Sequence, residues 1–176
     1  MANRSFFSNT SRTALVGVLS AGGLAVLWLA CLSPSGRLGL DAVAGLFPLA
    51  AVLAAGRSAG YLCWAVVSIL GLILLPDKGV AFLYLAFFGL YPVLKSKFEG
   101  NHRPVWGWVL KIAYFNLILA VFWFVFRQLF LPNLPSWLDS AALIWCLGNV
   151  VFIVYDIGLS RLIFGLFHRF SGGRRG

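Results

Sequence analysis

Acidic side chains are nearly missing from this sequence. Five Asp and Glu stand against 14 Lys and Arg in 176 residues, and charge of either sign makes up only 11%. Since 61% of the residues are hydrophobic, too little polar surface exists to solvate a water-soluble domain. Cysteine is scarce as well. Cys31, Cys63 and Cys146 stand singly, without C-x-x-C spacing, which excludes a zinc ribbon or a disulfide framework and leaves them as small buried hydrophobes. The two histidines, His102 and His168, lie at the ends of apolar runs and have no partner spaced for a metal. Patterns of the G-x-S-x-G, H-E-x-x-H and P-loop kinds are absent, and Ser68 has no histidine at matching depth, so neither an enzyme nor a cofactor is expected. The net charge of +9 is spread over segment ends rather than gathered into one basic face with interleaved aromatics, which argues against nucleic acid.

Long apolar runs take the place of charge. Measured against a hydrocarbon thickness of about 30 Å, they predict six helices, roughly 13–33, 40–55, 59–75, 79–94, 105–130 and 137–160. Buried strands are excluded because the runs are too long and lack period-two alternation. The expected fold is an all-α integral membrane protein, a single domain of six transmembrane helices in the lipid bilayer, with a basic tail over 161–176. The start, "MANRSFFSNTSR" followed by an apolar run of about 20 residues, reads as an uncleaved first helix, because that run is long for a signal peptide. "LWLAC" carries Trp28 where a lipoprotein site needs a small aliphatic, so Cys31 is not expected to be lipidated.

Orientation follows from the basic residues. With the N-terminus inside, Arg4, Arg12, Arg57, Lys95, Lys97, Arg103, Arg161, Arg169, Arg174 and Arg175 fall on the cytoplasmic side, Lys111 just inside the fifth helix, and only Arg37, Lys78 and Arg127 outside. An even number of spans then puts both termini in the cytoplasm.

Prolines mark two departures from straight helices. Pro48 removes a backbone donor near the middle of the short second helix and should kink it. Pro92, with Gly89 one turn earlier, should bend the fourth helix and free a carbonyl near its inner end. Pro76, Asp77, Lys78 and Gly79 read as a tight outer turn whose charges stay hydrated, and Lys95 and Lys97 as pins of the inner helix end.

Three patterns are candidates for function. Gly17, Ala21 and Ala25 share one face of the first helix and let another backbone approach, either within the molecule or from a partner. Asn116, Ala120, Trp123 and Arg127 form one stripe on the fifth helix, and Trp145, Asn149, Phe152 and Asp156 the equivalent stripe on the sixth. Counting inward from Trp106 and Trp137 puts each asparagine roughly 15 to 18 Å from its own membrane face, where an amide must face the bundle, bonded to its counterpart or to a ligand. Asp156 is an intramembrane acid, read either as an ion pair with Arg161 or Lys111 or as a functional carboxylate. Toward the outer face, Trp123, Arg127, Gln128, Trp145, Tyr84 and Asn149 could line a pocket for a small aromatic or anionic solute beneath "SPSGRLGLD".

Six spans, about 180 residues, inward termini and the Gly17, Ala21, Ala25 ladder resemble the substrate-binding S components of energy-coupling factor vitamin transporters. The stretch "LLPDKGVAFLYLAFFGLYPVLKSKFE" also looks like a recurring segment of small membrane proteins of Gram-positive bacteria. The resemblance implies that Gly17, Ala21 and Ala25 meet a transmembrane coupling subunit energised by two ATPases. It further implies that a small-molecule solute is held among Trp123, Arg127, Trp145 and Asn149. Here the first outer loop is short and the ladder begins with Gly rather than Ala.

Overall fold

Proline and glycine decide where these helices break. The computed structural model describes residues 9–33, 35–98, 104–130 and 141–172, with side chains except at 9, 98, 104–105, 125–130, 141 and 166–172. Arg4, His102, Arg103, Trp137, Arg174 and Arg175 therefore lie outside the described residues, as do the side chains of Arg127, Gln128, His168 and Arg169. The elements are α1 (Asn9–Leu32), α2 (Arg37–Ala44), α3 (Leu46–Ala55), α4 (Arg57–Leu74), α5 (Lys78–Leu83), a π-helical turn (Tyr84–Phe88), α6 (Tyr91–Phe98), α7 (Pro104–Phe130) and α8 (Ala141–Gly172). All are helical, with no strand among the described residues.

Among the described residues, six stretches are long and apolar enough to cross a membrane: Thr10–Leu32, Arg37–Ala55, Arg57–Leu74, Lys78–Lys97, Trp106–Phe124 and Ala142–Gly165. They overlap the six expected spans, although the first and second each begin three residues earlier than expected, at Thr10 and Arg37, and the sixth runs on to Gly165. The last helix also continues through most of the stretch read as a tail.

The expected kink at Pro48 appears three residues upstream, between α2 and α3. Pro48 cannot donate to the Ala44 carbonyl, so α2 ends at Ala44, and Pro48 falls in the first turn of α3, where a missing N–H costs nothing. Gly45 occupies the break because a Cβ there would collide with the carbonyl oxygen of Phe88. That oxygen is the one Pro92 leaves without its helical donor four residues on. The bend expected from Pro92 and Gly89 is a π turn, in which the Gly89 N–H reaches back to Tyr84 O at 2.8 Å, and the Trp64 indole donates to Leu85 O at 3.0 Å. Two proline defects thus meet at one contact, α2 against the π turn.

The chain divides into two compact units, Met1–Lys111 and Ile112–Gly176. In the first, α1 packs on α2, α3 and α4, while α6 packs on α3 and α4. Its core is rich in small residues, including Ala30, Ala44, Ala51, Ala55, Ala59 and Cys63. Lipid supplies no hydrophobic drive between helices, so such residues stabilise the bundle by letting backbones approach and multiply dispersion contacts. Ser20 adds a polar contact by donating to Cys63 Sγ at 3.5 Å. Cys63 is buried as expected, whereas Cys146 is exposed, and all three cysteines are free.

Several of the described charges of this unit tie helix ends. Arg12 donates to the Ala55 carbonyl at the end of α3, beside Gly56, whose φ of +91° suits only glycine. Arg57 donates to Ser96 O at 3.1 Å. Lys78 Nζ donates to Leu72 O at 2.8 Å and Leu75 O at 2.9 Å, closing the end of α4. Asp77 caps α5 by accepting from the Gly79 N–H at 2.8 Å, and its other oxygen pairs with Arg37 Nη1 at 2.9 Å. The turn expected over 76–79 is residues 75–77, with Lys78 and Gly79 already in α5, and its charges are engaged rather than merely hydrated. Lys95, expected as an interfacial pin, is fully buried, while Lys97 is exposed.

Candidate functional site

An asparagine inside an apolar helix has two amide hydrogens to place. In the second unit Asn116 and Asn149 solve this in the same way. Asn116 Nδ2 donates to Ile112 O one turn back at 2.9 Å and to Asn149 Oδ1 at 3.0 Å. Asn149 Nδ2 donates to Trp145 O at 2.8 Å and to Asn116 Oδ1 at 3.2 Å. All four amide hydrogens are used, so the pair is a closed lock between α7 and α8 and has no donor left for a ligand.

The two stripes face each other on both sides of this lock. Phe115 stacks on Phe152, with centroids 4.6 Å apart and planes inclined by 10°. Seven residues along α7 from Asn116, about 10 Å by helical rise, Trp123 meets Trp145 edge to face at 6.0 Å. The structure thus brings together Asn116 with Asn149 and Trp123 with Trp145. Arg127 continues the stripe one turn beyond Trp123, and its side chain lies outside the described residues. Tyr84 is buried in the first unit.

Asp156, one turn beyond Phe152, is buried, and its own carbonyl accepts from the Ser160 hydroxyl at 2.9 Å. Arg161 is exposed. Lys111 is buried, with its ammonium 5.3 Å from the centre of the Trp108 ring. No group of three or more His, Cys, Asp or Glu able to hold a metal occurs among the described residues.

The ladder on α1 is exposed among the described residues. Helix α1 packs through Val16, Ser20, Gly23, Leu27 and Ala30, whereas Gly17, Ala21 and Ala25 are exposed and a Cβ on Gly17 would meet nothing within 4 Å. Of the two readings open from the sequence, packing within the molecule is not seen: among the described residues no neighbour covers Gly17, Ala21 or Ala25.

One group escaped the sequence reading. Asp41, on α2, is 0% exposed, and neither carboxylate oxygen has a hydrogen-bond partner among the described residues. One turn before it stands Arg37, whose Nη1 holds Asp77 while its buried Nε has no partner among the described residues. The available signal was an i, i+4 pair of opposite charges inside one apolar span. No family model, curated protein or solved structure matches this chain.

Proposed function

We propose that this protein is the solute-capture subunit of a bacterial uptake system, spanning the plasma membrane six times with both termini in the cytoplasm. It docks through Gly17, Ala21 and Ala25 on a transmembrane coupling protein energised by ATPases, and it hydrolyses no ATP itself. The observation that carries this reading is the exposure of the ladder. A groove of Gly and Ala facing lipid forgoes dispersion contacts that a second helix backbone supplies, and such stripes are typical of helix–helix contacts in membranes. The topology rests on the excess of Arg and Lys at one set of helix ends.

Solute contact falls to the outer part of the α7–α8 seam, at Trp123, Trp145 and Arg127, where two indoles and a guanidinium suit a small aromatic or anionic molecule. Asn116 and Asn149 form the floor of that seam, and a solute engages them only by exchanging one of their mutual bonds. The closed lock also favours a second reading, a membrane scaffold or assembly factor in which the polar stripe is interhelical glue.

Gentle purification from native membranes separates the two. Uptake predicts an ATPase-bearing complex and a small molecule retained by wild type, with the molecule lost in Arg127→Ala. A scaffold predicts neither retained solute nor an ATPase-bearing partner.

A further inference from the structure

The strongest unexplained feature is Asp41. An ionised carboxylate is strongly disfavoured out of water unless several donors or a counter-charge meet it, and here both oxygens lack a hydrogen-bond partner among the described residues. A carboxyl group in that setting relieves the cost by holding a proton. The surroundings offer one alternative. Arg37 lies four residues earlier on the same helix, within reach of Asp41, with its Nε uncommitted and its Nη1 on Asp77 at 2.9 Å. Arg37 therefore has two acids to choose between, one buried on its own helix and one at the cap of α5.

We propose that Asp41 is a proton-binding site and that Arg37 is a latch reporting its occupancy, holding Asp77 while Asp41 carries the proton and turning to Asp41 when the proton leaves. The proton reaches Asp41 from the rim, where the Arg37 and Asp77 side chains are 40% and 27% exposed. Other charged or titratable groups come from every neighbouring element except α3, which has none. Helix α1 brings Cys31, which lies near Asp41, Asp77 and Arg37. Helix α5 brings Lys78, whose ammonium is bonded to Leu72 O and Leu75 O, and the π turn brings the buried Tyr84. Among these, Arg37 is the cation whose present partner is another acid. Acid closes the latch across α2 and the 75–77 turn, and alkali releases it. The inference stands whether or not the protein takes up a solute.

The test is infrared spectroscopy of the full-length protein in nanodiscs, titrated from acid to alkaline pH, together with the hydrogen-exchange protection of the Gly79 amide. Wild type should show a protonated-carboxyl band that is lost in Asp41→Asn and retained in Asp77→Asn. Protection of Gly79 should fall about fivefold as that band titrates, stay high at all pH in Asp41→Asn, and stay low in Arg37→Gln. In Arg37→Gln the band should persist to higher pH, because the ionised acid has lost its alternative partner. This last result does not depend on Asp41→Asn folding. A wild-type spectrum without a protonated carboxyl at any pH overturns the proposal. So does a band unchanged in Asp41→Asn, or Gly79 protection that titrates identically in wild type and Asp41→Asn.

Discussion

Asn116 and Asn149 exchange two amide hydrogen bonds, at 3.0 and 3.2 Å, and each returns its remaining amide hydrogen to a carbonyl one turn back on its own helix. Removing one partner strands the other in an apolar seam. Asn116→Leu and Asn149→Leu should each lower stability by about 1 kcal/mol, and the double variant by clearly less than the sum. A double-mutant cycle on unfolding in mixed micelles checks this, and additive losses would show that the pair is not coupled.

Asp77 performs two tasks where Arg37 performs one. Asp77→Ala loses the α5 cap and the ion pair and should cost about 1 to 2 kcal/mol, while Arg37→Ala should cost no more than about 1 kcal/mol, since the pair is partly solvated. Thermal unfolding at low and high salt distinguishes them: the Asp77 deficit should largely survive salt, because a cap to a neighbouring backbone N–H is screened little.

Gly45 and Gly17 make a matched pair of opposite expectation. A methyl group on Gly45 meets the Phe88 carbonyl, which is backbone and cannot swing aside, so Gly45→Ala should destabilise by about 2 kcal/mol or more. Gly17→Ala enters open space and should leave the isolated protein as stable as wild type or slightly more so. Unfolding midpoints of the two variants settle the comparison.

The π turn depends on a side-chain donor. Trp64→Phe keeps an aromatic ring but removes the indole N–H that meets Leu85 O, with some of the ring's bulk, and should cost about 1 kcal/mol or more. Hydrogen exchange should show the extra opening concentrated in residues 84–90 rather than spread over α4.

Much of the fold was legible in the sequence because run length and charge spacing are one-dimensional quantities. The spans and the turn around Pro76 and Asp77 follow from them, and the break in the fourth span before Pro92 follows from its missing backbone donor. The meeting of Asn116 with Asn149 and Trp123 with Trp145 was also accessible, since two antiparallel helices of equal register place equal depths together. Other features depend on what a helix face meets in space. Gly45 rather than Pro48 marks the break in the second span, because the approach of Phe88 O is a tertiary fact. The exposure of Gly17, Ala21 and Ala25 among the described residues was hidden because a small-residue stripe has the same sequence whichever way it points. Asp41 was overlooked through a boundary: a helix beginning at residue 40 leaves it at the interface, whereas one beginning at Arg37 draws it a full turn inward.

Helix α1 carries the central claim, so the decisive measurement is recovery of partners with the tagged protein from native membranes, for wild type and for Gly17→Leu/Ala21→Leu. Both residues are exposed, so the variant should fold with an unchanged unfolding midpoint. The account predicts that an ATPase-bearing membrane complex accompanies wild type and that its yield falls at least about tenfold in the variant, the effect of losing roughly 1.4 kcal/mol of association energy. Equal recovery of that complex with both proteins, or its absence from wild type, would contradict the account.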